Sequence, residues 1–348
     1  MKAARILLLA DTHLGFDLPT HPRVQRRRRG DDFFRNTRLA LEPALRGEVD
    51  LVVHGGDLLF RSRVPAWLVE AALAPLIQVA QAGVPVFLVP GNHERSRIPL
   101  HLWGQHPNLH VFDAPRTFAC PTREGTLALS GWPFAREVRA RLGSLLRECG
   151  LGSIPACAHL LCMHQTVEGA QVGPADFTFR AGPDIVPGRE IPSAATAVLA
   201  GHIHRAQVLR STLAGRPLAA PVIYPGSVER TAFAEREETK GYMLVTVPLA
   251  EGPARRPVEA HFVPLPARPL VILRHECDGT DPHGLSAAVA KQLASLDPDS
   301  VVRLELEGVG AAAARAVLTA PLLRSLAPAS MNIELAPETP RRGETAMT

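Results

Sequence analysis

The chain has 348 residues, 46% of them hydrophobic, and a formal net charge of +4, with nearly all of its positive charge on arginine. That balance excludes a disordered polyelectrolyte and allows one large domain with a smaller one beside it. No apolar run reaches the roughly 18–20 residues needed to cross a bilayer, and Met1–Ala10 runs straight into Asp11, so it reads as a first strand and not as a signal peptide.

Taken in chain order, Ile6–Ala10 predicts a short apolar strand and Phe33–Leu45 a helix. Leu51–His54 predicts a strand, Ala66–Ala80 a helix and Val84–Val89 a strand. Continuous apolar strands alternating with amphipathic helices indicate an α/β core whose sheet is covered on both faces. Strands follow at Thr126–Gly131, His159–His164, Ala197–Ala200, Ala206–Arg210, Val222–Tyr224 and Tyr242–Val247, with few helices between them. Val263-Pro264-Leu265-Pro266-Ala267-Arg268-Pro269 reads as a stiff connector. Beyond it, strand Val271–Glu276, helix Leu285–Leu296, strand Val301–Glu307, helix Ala311–Leu326 and strand Asn332–Leu335 form a β-α-β-α-β piece. The expected division is therefore a first domain over 1–265, a small α/β domain over 266–336 and a mobile tail over 337–348. Cys120, Cys149, Cys157, Cys162 and Cys277 form no C-x-x-C pair and read as buried free thiols in a reducing cytoplasm.

Five short motifs carry the chemistry: Asp11-Thr12-His13, Gly56-Asp57, Gly91-Asn92-His93-Glu94, His164, and Gly201-His202-Ile203-His204. Each follows an apolar strand. Asp11 and His13 are two apart, so in an extended segment their side chains point to one side and can meet one ion. His202 and His204 repeat that spacing with two imidazoles. Asp57 follows a glycine, and its carboxylate has two oxygens with which to bridge ions. Asn92 offers a neutral carbonyl oxygen. Ligands at successive strand ends converge at the carboxyl edge of an open sheet. Any one of these motifs alone means little; five in order, each after a strand, point to a two-metal site. Two divalent ions less two carboxylate charges leave a positive site suited to a phosphodiester. Mixed oxygen and imidazole donors suit Mn, Fe or Zn better than Mg or Ca, and Mn²⁺ is favoured. His159 competes with His164 but opens its strand, whereas His164 closes it. His54 points the other way and reads as structural.

From Arg5 to Val263 these motifs resemble the calcineurin-like metallophosphoesterases. The resemblance implies a two-sheet core with helices on its outer faces. It implies that Asp11, His13, Asp57 and His204 hold one metal and that Asp57, Asn92, His164 and His202 hold the other. His93 matches the family histidine that contacts the scissile phosphate, as transition-state stabiliser or as acid for the leaving oxygen. A narrower resemblance is to SbcD-type DNA repair nucleases. It rests on Asp11-Thr12-His13-Leu14-Gly15, Asp31-Asp32-Phe33-Phe34-Arg35 and Tyr224-Pro225-Gly226-Ser227-Val228-Glu229-Arg230, then Phe233, Glu235 and Lys240-Gly241-Tyr242. It implies a Mn-dependent exonuclease on duplex ends and endonuclease on single strands, a small capping domain, a homodimer, and an SbcC-like coiled-coil ATPase partner.

Three departures stand out. Phe60 occupies the place of a histidine usual three residues after the bridging aspartate, and a phenyl ring transfers no proton. Glu94 replaces an aspartate. The chain ends soon after the capping-like domain, so the helical segment that would dock the ATPase is not evident. The basic run Arg23-Val24-Gln25-Arg26-Arg27-Arg28-Arg29 leaves the first ligand strand. Arg26, Arg27, Arg28 and Arg29 are candidate contacts to a DNA backbone, against a solvated loop with no ligand. The competing function is a metallophosphatase or phosphodiesterase for a small nucleotide or phosphoprotein, which would use the same metal residues.

Overall fold

Ala4, Ile6 and Leu8 bury on one face of the first strand, and Leu7 and Leu9 on the other. A strand with that pattern must be covered on both sides, and its neighbours repeat it. The computed structural model describes residues 2–19, 24, 26–94, 98–249, 257–277 and 282–337. The chain divides into two units, residues 1–19 with 30–267, and residues 20–29 with 268–348.

In the first unit the elements run β1 (Ala3–Leu9), α1 (Arg29–Leu45), β2 (Leu51–His54), α2 (Ala66–Gln81), β3 (Val86–Leu88), α3 (Leu100–Trp103), β4 (Leu109–Val111), β5 (Arg116–Thr122), β6 (Gly125–Gly131), α4 (Val138–Cys149) and β7 (Ala158–His164). Four two-residue strands follow: β8 (Thr166–Val167), β9 (Gln171–Val172), β10 (Phe177–Thr178) and β11 (Ile185–Val186). Then come β12 (Ala197–Gly201), β13 (Gln207–Ser211), β14 (Pro217–Tyr224), β15 (Gly241–Pro248) and β16 (Glu259–Pro264). One six-stranded sheet has the order β16-β15-β1-β2-β3-β4 and the other β13-β14-β12-β7-β6-β5. The strands β1, β2 and β3 are mutually parallel neighbours, as are β7 and β12.

A core of Ile6, Leu8, Val53, Phe87, Leu129, Leu160, Leu199 and Val245 lies between the sheets. A second core packs Leu7, Leu9 and Val52 against Phe33, Leu41, Leu73 and Leu76 of α1 and α2. A third packs Leu161, Met163 and Val198 against Val138, Leu142 and Leu145 of α4. The architecture is thus helix, sheet, sheet, helix, in agreement with the expected two-sheet α/β class. Helix α4 is absent from the expectation: its buried residues recur at four- and three-residue steps but sit among arginines and Gly143.

At the ligand-bearing ends the two sheets meet through glycines. A Cβ on Gly55 would lie 3.0 Å from the Gly201 nitrogen, and one on Gly201 would overlap the Gly55 carbonyl. Four cysteines are buried and reduced; Cys157 is free but exposed, against the expectation that all five are buried, because it precedes β7 instead of lying within it. No helix among the described residues is long and apolar enough to cross a membrane.

The second unit is a parallel sheet in the order β17 (Leu270–Glu276), β18 (Val301–Glu307), β19 (Asn332–Leu335). Helix α5 (Pro282–Ala294) joins its first two strands. The single helix expected over Ala311–Leu326 is two, α6 (Ala311–Val317) and α7 (Ala320–Leu326). The break is local: the Thr319 side chain caps the new helix by accepting from the Leu322 N–H, and Pro321 in its first turn has no N–H to continue the old one. Arg26–Arg29 join this unit although they follow β1 in sequence. Arg27 pairs with Asp299 at 3.0 Å, and its carbonyl accepts from Asn332 Nδ2 at 3.1 Å. Of the expected tail, residues 338–348 lie outside the described residues.

These contacts make two glycine substitutions opposite in sign. Gly201→Ala overpacks the meeting of the sheets and should cost about 1–3 kcal/mol in urea unfolding. Gly143→Ala, exposed within α4 and with no contact closer than 3.5 Å for the added methyl, should stabilise by about 0.4–1 kcal/mol.

Candidate metal centre

The sheet topology decides what can meet. Asp11 and His13 follow β1, Asp57 follows β2, and Asn92 and His93 follow β3. His164 ends β7, and His202 and His204 follow β12. Three adjacent strands of one sheet and two adjacent strands of the other therefore deliver all seven ligand candidates and His93 to one edge.

The backbone there is not the extended chain expected from residue spacing. Asp11, His13, Asp57 and His202 have φ of 51°, 42°, 50° and 90°. They are four of the seven non-glycine residues with positive φ among the described residues, so the strain concentrates at this edge. Backbone hydrogen bonds hold these turns: Asp11 N–H to Gly56 O at 2.8 Å, His13 N–H to Asp57 O at 3.1 Å and Leu14 N–H to Leu58 O at 2.8 Å. The His202 N–H donates to the Asp11 carboxylate at 3.1 Å. With φ of 90° at His202, the pair His202 and His204 does not face one point, as an extended segment would require. His204 joins Asp11 and His13, while His202 joins Asp57 and His164. A third group unites His13, Asp57 and His93. His13 and Asp57 each belong to two of the three groups, so the three form one continuous cluster.

Distances within the centre are short. His13 Nε2 lies 3.0 Å from His204 Nε2, and His202 Nδ1 lies 3.2 Å from His164 Nε2. His164 Nε2 is also 3.2 Å from Asn92 Oδ1 and 3.5 Å from Asp57 Oδ2. His93 Nε2 lies 3.8 Å from Asp57 Oδ2, and His204 Nε2 lies 4.0 Å from Asp11 Oδ1. Outer contacts set the ring orientations: His164 Nδ1 meets Gly55 O at 2.8 Å, His93 Nδ1 meets Leu59 O at 2.9 Å and His204 Nδ1 meets Glu235 Oε1 at 3.0 Å.

The electrostatics fit cations. Burial, followed by the neighbouring His204, drives His13 down to about 3, and burial with His164 does the same to His202. Both are neutral imidazoles with lone pairs to give. Burial works against a charge on His164 as well, but the Asp57 carboxylate outweighs it and raises the group to about 9. Asp57 itself is opposed by burial yet held well below the usual carboxylate range by His164 and its other imidazole neighbours. Burial raises Asp11 to about 6. Carboxylates and converging imidazole nitrogens with this demand for positive charge form a donor set suited to divalent metal ions.

Other residues have structural places. Glu94 is fully buried, and its two carboxylate oxygens accept from Leu59 N–H at 2.7 Å and Gly91 N–H at 2.9 Å. It clamps the loops after β2 and β3 around Asp57, and burial with the Asp57 charge raises it to about 8. Gly91 is required here because a Cβ would overlap Asp57. His54 is buried against the Thr12 hydroxyl at 3.1 Å, outside the cluster. His159 also lies outside it, with a buried Nδ1 that has no partner. Phe60 packs beside Gly15 and carries the Arg61 guanidinium 4.5 Å from its ring centre. Phe134 places its ring 5.7 Å from His202 and 6.2 Å from His164; nothing in the sequence marks it. Arg26, Arg27, Arg28 and Arg29 belong to the second unit. The Arg28 guanidinium donates to Val24 O at 3.3 Å. Arg23 and Gln25 of the same run lie outside the described residues.

The family model for calcineurin-like phosphoesterases matches residues 4–206, which include every ligand candidate from Asp11 to His204. A protein of Methanosarcina mazei named DNA double-strand break repair protein Mre11 is 29% identical over 320 residues, covering 88% of this chain and 46% of that protein. The protein of the same name from Methanosarcina acetivorans is 28% identical over 316 residues, with the same coverage of 88% and 46%. That from Aeropyrum pernix is 25% identical over 248 residues, 65% of this chain and 53% of the relative. The chain spans about half the length of the curated relatives it matches. With more than half of its length matched and the metal-ligand candidates gathered at one edge, the chain belongs to the calcineurin-like phosphoesterase family.

Proposed function

We propose that this chain is a two-metal DNA nuclease of double-strand-break repair, hydrolysing phosphodiesters at duplex ends and in single strands. The observation that carries the choice of DNA over a small phosphoester is the reach of the likeness. The relatives named for double-strand break repair match 88% of the chain, which extends past the larger unit into the smaller one.

In this reading Asp11, His13, Asp57 and His204 hold one divalent ion, and Asp57, Asn92, His164 and His202 hold the other, with Mn²⁺ favoured over Fe or Zn. Bound there, such ions would supply Lewis acidity at phosphorus and a lowered pKa for the attacking water. The His93 ring, fixed through Nδ1 on the Leu59 carbonyl, turns Nε2 toward the same edge as Asp57. From there it donates to the phosphate or protonates the leaving oxygen. Asn92 adds a donor without adding negative charge, which keeps the site positive toward its substrate. Phe60 offers no proton where the related nucleases usually carry a histidine, so resection of duplex ends is the weaker activity. A homodimer, an SbcC-like ATPase partner and a cytoplasmic location complete the reading by resemblance.

The decisive experiment supplies Mn²⁺ and follows end-labelled linear duplex, circular single-stranded DNA and a small phosphodiester. The native chain should cut DNA, and His93→Ala should lower kcat by about 10²–10⁴-fold with metal content unchanged. Brisk turnover of the small ester with both DNAs intact would instead select the phosphatase reading. Phe60→His should raise duplex-end resection relative to cutting of circles; an unchanged ratio removes Phe60 as the cause of any imbalance.

The arginine run gives a separate expectation. If Arg26, Arg28 and Arg29 each contact a phosphate, replacing the three by serine should flatten the plot of log affinity against log salt by about 2–3. An unaltered slope would show that the run does not touch the DNA backbone.

A further inference from the structure

His204 differs from His93 and His164 in what stands behind it. The outer nitrogens of His93 and His164 meet backbone carbonyls, whereas His204 Nδ1 meets a carboxylate oxygen of Glu235 at 3.0 Å. Glu235 lies in the loop between β14 and β15, in a single helical turn over Phe233–Glu235, with Phe233 buried beneath it. Its carboxylate is itself fixed. The Thr231 hydroxyl donates to Oε1 at 2.8 Å and the Thr231 N–H donates to Oε2 at 3.0 Å. The Lys240 ammonium, on a side chain with no exposed surface, lies 3.0 Å from Oε2. Lys240 gives its other two protons to Glu238 Oε2 at 2.8 Å and to the backbone carbonyl of His204 at 2.9 Å. Three donors thus meet three acceptors, and the same ammonium grips both the carboxylate and the main chain of the histidine that the carboxylate orients.

We propose that Glu235 is a positioning residue for metal binding, holding His204 with its proton on Nδ1 so that Nε2 presents a lone pair beside Asp11 and His13. The inference rests on the metal reading above and adds a residue that this reading does not use. An imidazole has two tautomers, and a carboxylate accepts but cannot donate, so only the Nδ1–H form satisfies the contact. The carboxylate also makes the facing nitrogen a better donor to a cation. Lys240 keeps Glu235 from turning away, because rotation would leave one of the three protons of a buried ammonium without an acceptor. The structural alternative is a loop anchor that would hold the β14–β15 connection whether or not a metal binds.

The test is Mn²⁺ titration of the full chain, with free Mn²⁺ read by electron paramagnetic resonance, for the native protein, Glu235→Ala and Glu235→Gln. The native chain should bind two ions. Glu235→Ala should weaken one of the two by about 10–100-fold and leave the other unchanged. Glu235→Gln retains an amide oxygen that accepts from Nδ1–H but turns its NH2 toward the Thr231 N–H and the Lys240 ammonium, so its loss of affinity should fall between native and Glu235→Ala. Folded Glu235→Ala with two native affinities overturns the proposal and leaves Glu235 as a loop anchor. A native chain that binds no Mn²⁺ overturns the metal reading and this inference with it. Should the variants fail to fold, ¹⁵N imidazole correlations of the native chain loaded with Zn²⁺ decide: a His204 proton on Nδ1 supports the proposal, and a proton on Nε2 overturns it.

Discussion

The close approach of Gly55 and Gly201 is the constraint on which the remaining geometry depends. Two six-stranded sheets with side chains between them are ordinarily about 10 Å apart. At this edge the side chains are absent and backbone meets backbone. Only so can ligands from β1, β2 and β3 reach ligands from β7 and β12. Gly56 completes the arrangement: a Cβ there would overlap the His164 ring, so the chain can bring Asp57 beside that imidazole only with glycine before it. The glycines preceding Asp57, Asn92 and His202 are therefore spacers that set ligand separation as much as they are turn residues.

Close approach has an energetic counterpart. Asp11, Asp57, His13 and His202 take left-handed backbone angles at a cost on the order of 1–3 kcal/mol each. Asp11, His13 and Asp57 are also among the buried polar groups of the described residues, and His202 is half-buried. The parallel strands below them are packed on both faces, and this rigid base holds the turns in place. The pull of Asp57 on its neighbouring imidazoles shows what the strain maintains. The Asp57 carboxylate favours positive charge beside it strongly enough to raise His164 against burial, and divalent ions held here would meet the same demand.

The strands that bear the ligands were legible in the sequence because each is a continuous apolar run ending in glycine or a ligand residue. Burial on both faces removes the alternation that would otherwise blur such a run. Helix α4 was not legible, since its apolar stripe is narrow and interrupted by arginine and Gly143. The break between α6 and α7 was written in Thr319 and Pro321 but hidden by apolar residues on both sides. The seven ligand candidates could be chosen from spacing, but their backbone could not. Spacing of two suggested extended chain, whereas the meeting of the sheets requires turns. Placement of Arg26–Arg29 with the second unit was invisible for a different reason, because Arg27 finds Asp299 only once the chain has folded back over more than two hundred residues.

The loop after β14 shows how function can extend beyond the ligands themselves. Glu235 and Lys240 fall within one sequence pattern, yet spacing alone assigns them no task. Their task follows from burial: an ammonium with no exposed surface must be matched by carboxylates, and one of those carboxylates faces the outer nitrogen of His204. A buried ion pair of this kind contributes little net stability beyond what well-packed apolar groups would give. Its value lies in fixing direction. The charge pair settles where Glu235 can point, Glu235 settles which nitrogen of His204 is protonated, and the φ of His202 settles that two histidines two positions apart serve different groups of the cluster.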